Sequence, residues 1–189
     1  DTISNTMPFA VDTLPECLDK ESNDAPPAAQ RVTLPIIVNG RIDRRGDWDV
    51  FRVEGRAGEQ VVAEVTARRL ASPLDSVLEL TDAAGKRLAF NDDHEDKADA
   101  LHTHHADSLI HATLPADGSY FLRLGDARRE GGPEYAYRLR ISPPQPDFAL
   151  RVVPSAINAN SWQLKPITVF ALRKDGFDGE IALSFRGDP

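Results

Sequence analysis

At 189 residues the chain is long enough to bury a core, and its length leaves one domain, or one domain and a fragment, equally open. Thirty acidic side chains against 22 Lys and Arg give a formal charge of -8, which argues against nucleic acid, whose phosphates demand a basic face, and permits cation binding. No run approaches the ~20 apolar residues of a membrane span, the first residues lack a basic-then-apolar signal pattern, and a single cysteine, Cys17, rules out an intrachain disulfide or a Cys/His zinc ribbon.

In chain order, residues 1–30 carry Pro8, Pro15, Pro26, Pro27 and many acids and read as an extended N-terminal connector. Cys17 lies there between Glu16 and Asp19, acids that raise a thiol's pKa, so it reads as structural. Residues 31–142 then alternate apolar and polar positions in short runs, at 32–38, 50–54, 61–66, 77–81, 86–90, 108–114, 120–124 and 135–141. The clearest is the last, where Tyr135, Tyr137, Leu139 and Ile141 alternate with Ala136, Arg138 and Arg140, one buried and one wet face of an antiparallel strand. Gly40, Gly46, Gly55 to Gly58, Ala116-Asp117-Gly118 and Gly131-Gly132-Pro133 separate these runs as turns. No helical apolar period persists over three turns, so the expected fold is an all-β, antiparallel, jelly-roll-like sandwich.

A semi-rigid spacer follows at Ser142-Pro143-Pro144-Gln145-Pro146. Runs at 148–153, 167–173 and 180–185 predict three further strands. A complete immunoglobulin-like sandwich needs ~100 residues, so residues 143–189 read as part of a second β domain, or alternatively as an extension of the first. The chain is expected to be a processed or cut piece.

Within the sandwich, 77–81, the turn Asp82-Ala83-Ala84-Gly85 and 86–90 predict a hairpin, with Gly85 at the positive φ of the turn. With it stand Gly40-Arg41-Ile42, Gly46-Asp47-Trp48-Asp49-Val50-Phe51, Ala57-Gly58, Leu74-Asp75-Ser76, Asn91-Asp92-Asp93, Asp107-Ser108 and Gly118-Ser119-Tyr120. In this order, over 19–142, they resemble the bacterial pre-peptidase C-terminal (PPC) domain, a family that includes the collagen-binding modules of clostridial collagenases. The loop Thr103 to Ser108 and Asp175-Gly176-Phe177-Asp178-Gly179 are similar to the version strung between Ig-like domains in large secreted bacterial proteins. The resemblance implies a jelly-roll sandwich, export to the exterior or cell surface, and an accessory role beside an enzyme.

Three constellations carry chemistry. Along the extended run Asp19-Lys20-Glu21-Ser22-Asn23-Asp24, alternate side chains point the same way, so Asp19, Glu21 and Asn23 can converge on one ion while the following strand closes the shell with Asp47 and Asp49. An irregular shell of oxygens suits calcium better than magnesium. The resemblance implies a calcium role for Asp19, Glu21, Asn23, Asp24, Asp47 and Asp49, with the Gly40 carbonyl as a further ligand; Asp19 stands where the family has Glu. The competing reading is a solvated acidic linker.

All five histidines fall within 94–111. His102 and His104, with His94 or Asp92, make a candidate site for zinc or another transition metal; Asn91, Asp92 and Asp93 make a candidate second calcium site. The competing reading is an ordinary long connection capped by Asp107-Ser108. Alternation sends Trp48 to the face opposite Asp49, where it stacks on a sugar or protein ligand or else lids a neighbour.

No GxSxG, HExxH, Walker or GxGxxG motif occurs. The expected function is a non-catalytic, calcium-binding accessory module of a secreted multidomain bacterial protein, touching neighbouring domains of the same polypeptide or an extracellular polysaccharide or protein. A purely structural spacer is the alternative, and a metal-dependent hydrolase using the histidine loop is the third reading.

Overall fold

The computed structural model describes residues 8–95, 106–158 and 164–184. Two five-stranded sheets face each other. The first is ordered β1 (Glu16–Leu18), β3 (Ile36–Arg41), β10 (Ala136–Ser142), β5 (Gln60–Thr66), β8 (Leu109–Thr113). The second is ordered β2 (Gln30–Arg31), β4 (Trp48–Gly55), β9 (Gly118–Asp126), β6 (Ser76–Asp82), β7 (Arg87–Asn91). The all-β sandwich expected from alternation is what forms.

Its inner faces are the apolar sets of that alternation. Phe51, Val53, Leu78, Leu80, Leu122 and Leu124 come from one sheet and Val38, Val65, Leu139 and Ile141 from the other, all at most 1% exposed. Each such side chain stabilises the fold by about 1.5–3 kcal/mol when removed from water. The β6–β7 hairpin closes as expected: Gly85 takes φ +80, and Asp82 Oδ1 accepts the amides of Ala84 and Lys86 at 2.9 Å each.

Two pairings depart from the antiparallel expectation, because β1 runs parallel to β3 and β2 parallel to β4. Both come from the N-terminal arm. Residues 16–18 add an edge strand to the first sheet and residues 30–31 an edge strand to the second, so the segment between them crosses from one sheet to the other. An arm approaching from outside pairs with whatever free edge it meets, whereas hairpin-connected strands must reverse.

Beyond the sandwich, β11 (Asp147–Val153) and β12 (Thr168–Lys174) form an antiparallel pair. The third strand predicted at 180–185 does not form over its described part, 180–184. Gly179 and Phe177 instead give their carbonyls to Arg173, at 2.8 and 3.2 Å, which holds the chain in a turn.

Candidate metal centre

The crossing segment places Asp19, Glu21, Asn23 and Asp24 at the edge of the gap between the sheets. Backbone bonds fix it there: Asp19 N–H donates to the Asn39 carbonyl at 3.0 Å and Val50 N–H to the Asn23 carbonyl at 3.1 Å. Gln30 braces it further, accepting the Lys20 amide at 2.8 Å and donating to the Leu18 carbonyl at 3.0 Å. Opposite, the turn leading into β4 supplies Asp47 and β4 itself Asp49, 4% and 0% exposed.

These acids meet. Asp19, Glu21 and Asp49 each bring a carboxylate oxygen within 4.8 Å of the others, as do Glu21, Asp24 and Asp47, so Glu21 joins the two groups. Oxygens bound 2.3–2.6 Å from one calcium ion stand at most about 5 Å apart, a spacing these groups satisfy. The fully buried Asn23 donates through Nδ2 to Asp19 Oδ1 at 2.7 Å, which leaves its own Oδ1 without a partner. Asp24 Oδ1, Asp47 Oδ1 and Asp49 Oδ1 are likewise buried and accept no hydrogen bond. Unpaired buried acceptors normally cost 1–3 kcal/mol each, about the price of a lost hydrogen bond.

Crowding shows in the electrostatics. Burial, reinforced by the charges of Asp19, Glu21 and Asp47, pushes the Asp49 carboxyl up to about 9 despite a 2.6 Å hydrogen bond from the Tyr137 hydroxyl. Burial also raises Asp19 and Asp47, and raises Glu21 together with the charges of Asp19 and Asp47. Among the described residues, Arg44 is the cation that reaches the cluster: it donates to Asp24 Oδ2 at 2.9 Å and approaches Asp47 Oδ1 at 3.3 Å. Gly40 sits against the site, where a Cβ would overlap the Tyr137 hydroxyl and stand 2.8 Å from Asp19 Cβ. The donors are all oxygen, with neither His nor Cys among them, which fits a hard divalent cation.

Sequence reasoning gathered six acids and amides of this site and Gly40, and missed three residues. Tyr137 was legible only as a core position, although a buried tyrosine hydroxyl needs a partner. Arg44 and Gln30 gave no signal beyond their polarity.

The other constellations fall out differently. Both ends of the Asn91 amide are occupied: Oδ1 accepts Leu109 N–H and Nδ2 donates to the Asp93 carbonyl, each at 2.8 Å. Asp92 is exposed and gives its carbonyl to Ser108 Oγ at 3.3 Å. Among the described residues no His, Cys, Asp or Glu triplet within ligating distance includes Asp92, Asp93 or His94. His102 and His104 lie outside the described residues. Ser76 and Ser108 are fully buried and bonded to each other at 2.9 Å. Trp48 is half-buried; its ring lies over Gly125, where a Cβ would come within 2.8 Å of it, and the Arg123 guanidinium stands 4.5 Å from its centroid.

No protein-family model matches the chain. A stretch of 79 residues, 41% of the chain, is 44% identical to a probable subtilase-type serine protease of Deinococcus radiodurans, and it spans 10% of that protein's length. Among solved structures, the pre-peptidase C-terminal domain of a collagenase from Bacillus anthracis aligns at TM-score 0.43 and 15% identity, over 60% of this chain and 94% of that one. The Aeromonas hydrophila PliG, a periplasmic inhibitor of g-type lysozyme, aligns at TM-score 0.40 and 14% identity, over 60% of this chain and 97% of its own. Its Salmonella Typhimurium counterpart aligns at 0.36 and 15%, over 60% and 100%. The chain is thus similar to a pre-peptidase C-terminal domain in the solved structures and to a short stretch of a subtilase-type protease in sequence.

Proposed function

We propose that this chain is a non-catalytic accessory module of a secreted, multidomain bacterial protease, and that a calcium ion pins its N-terminal arm across the gap between the two sheets. One observation carries the ion: four buried side-chain oxygens, on Asn23, Asp24, Asp47 and Asp49, accept no hydrogen bond and stand among the carboxylates of Asp19 and Glu21. A divalent cation supplies the missing partner for each and neutralises charge that Arg44 alone does not balance. Asp19, Glu21, Asn23, Asp24, Asp47 and Asp49 hold it, while Tyr137 orients Asp49 through its hydroxyl. Calcium performs no reaction there; it ties the edge strands β1 and β2 to β3 and β4.

The accessory role draws on the stretch shared with the subtilase-type protease and on the PPC resemblance. Neighbouring domains of the same polypeptide are then the first partners, and an extracellular polymer contacting the Trp48 face is a further one. The spacer reading is favoured by Trp48 itself, whose ring is already in contact with Gly125 and Arg123.

Thermal melting during calcium titration tests the ion. A ligand bound only by the folded state at 100 times its dissociation constant adds about 2.7 kcal/mol. The melting temperature of the chelator-treated protein is therefore expected to climb with calcium and hardly with magnesium, and Asp49→Asn to abolish most of the climb. A flat wild-type titration to millimolar calcium refutes the site.

A further inference from the structure

We infer that Arg140 and Asp175 form a lock that fixes how the β11–β12 hairpin sits on the sandwich, so that the proline-rich segment 143–146 does not work as a free hinge. The lock is independent of the ion.

Arg140 lies on the outward face of β10, where alternation with Leu139 and Ile141 places it. A lone arginine there would be expected to point into water. Instead its side chain is 14% exposed and its fork is shared between two carboxylates from different parts of the chain. Nη1 and Nη2 donate to the two oxygens of Asp175 at 2.6 and 3.0 Å, a bidentate pair; Nε and Nη2 donate to Glu64 Oε2 of β5 at 3.2 and 2.9 Å. Planar five-donor geometry makes arginine the side chain suited to such a double grip, and bidentate pairs fix orientation as well as distance.

Asp175 is presented by the turn after β12. It takes φ 48 and Gly176 φ 78, left-handed values that Asp and Gly tolerate. Its side chain is only 5% exposed. The same carboxylate accepts the Gln145 amide at 2.8 Å, and Arg140 also reaches Ser142 Oγ at 3.2 Å. The spacer is thereby held near both ends by the two partners of one ion pair, with Pro143, Pro144 and Pro146 restricting φ between and beyond these points. Burial alone would raise Asp175, but its hydrogen bonds from Arg140 and Gln145 outweigh this and hold it below the usual carboxylate range. Arg69 completes the row, donating to Glu64 at 2.9 Å and to Asp107 at 2.7 Å, so that charges alternate from the hairpin into the sandwich.

Separately folded units joined by a linker normally move relative to each other unless a large apolar contact holds them. Here Leu172 is buried over a cleft of about 1090 Å³ shared with Val62 and Leu109, and the cleft leaves the hairpin incompletely packed. The ion pair supplies the missing constraint, and breaking it leaves a buried charge without its partner.

Spin labels at the exposed Thr113 and Thr168, in the full chain with Cys17→Ser, read the distance between sandwich and hairpin by pulsed electron spin resonance. The parent is expected to give one narrow distance distribution, with calcium and with chelator alike, and Asp175→Asn and Arg140→Met to broaden it. Asparagine accepts the left-handed turn and still takes the Gln145 amide, so Asp175→Asn removes the charge while the turn stays formed. It lies outside the sandwich, so it remains decisive if Arg140→Met fails to fold. A broad distribution in the parent, or variants as narrow as the parent, overturns the lock.

Discussion

The acids gathered around the crossing arm and a second pair of buried acids, Asp107 and Asp126, use the same side chains in opposite ways. Asp107 accepts the amides of Ala67, Arg68 and Arg69 and the guanidinium of Arg69. Asp126 accepts those of Asp75, Arg128 and Glu130. Both are buried, and their oxygens are occupied by the chain itself. Facing the arm, Asp49 and Asp47 are as deeply buried, yet each keeps an oxygen with no hydrogen bond. A carboxylate filled by backbone amides is a fastener; carboxylates crowded together with acceptors to spare hold a proton or leave room for a cation.

The largest effect that sharpens this contrast is expected at Asp107. Replacing it with Ala orphans three amides at the short turn Arg68–Leu70 and strips Arg69 of a partner, at a cost of about 3–5 kcal/mol. Denaturant unfolding should show this loss equally with calcium and with chelator. A loss that calcium restores would place Asp107 with the metal acids and erase the distinction.

A smaller and calcium-dependent effect is expected from pH. Asp49 titrates at an ordinary 3.8 when unfolded and at about 9 in the metal-free fold. Between those values the folded state binds the extra proton, so stability is fully present below the lower value and is lost as pH rises through the higher one. Melting temperatures of chelator-treated protein should fall from about pH 5 to pH 9. Asp49→Asn should flatten that slope, since an amide does not titrate. With calcium the ion competes for the ionised form, so its stabilisation should grow with pH. A metal-free slope of the opposite sign would mean that the Asp49 carboxylate is already satisfied within the chain.

What could be read from sequence follows the same division. Period-two alternation exposed the strands, because Tyr137, Leu139 and Ile141 face a core whatever their partners are. Asp19, Glu21 and Asn23 were grouped on the premise of an extended segment; they meet because the chain bends at Glu21 and brings Asn23 back within 2.7 Å of Asp19. Edge strands of three and two residues, β1 and β2, are too short to show a period, so the arm read as a connector. That Tyr137 faces Asp49 depends on two sheets meeting face to face, which no local pattern encodes. The Asn91 cluster looked like a cation site for the reason that makes sequence ambiguous here: an oxygen acceptor suits an amide as well as an ion, and only the fold decides which arrives. Arg140 and Asp175 are 35 residues apart, and nothing in either segment announces the other.

The smallest effect tests whether the outer face of the β4 sheet is a contact surface or is already complete. Trp48 packs over Gly125 with Arg123 above its ring, and Arg123 in turn donates to Glu79 at 3.3 Å. A cation–π pair at a partly exposed site contributes about 0.5–1 kcal/mol. Trp48→Ala should therefore lower stability only modestly and leave the calcium response intact, since Trp48 points to the face opposite Asp49. If this face recognises a polymer, the variant should lose retention on insoluble collagen or on a glycan array while its melting temperature hardly moves. Equal retention by parent and variant would leave the indole as packing for Gly125 and Arg123.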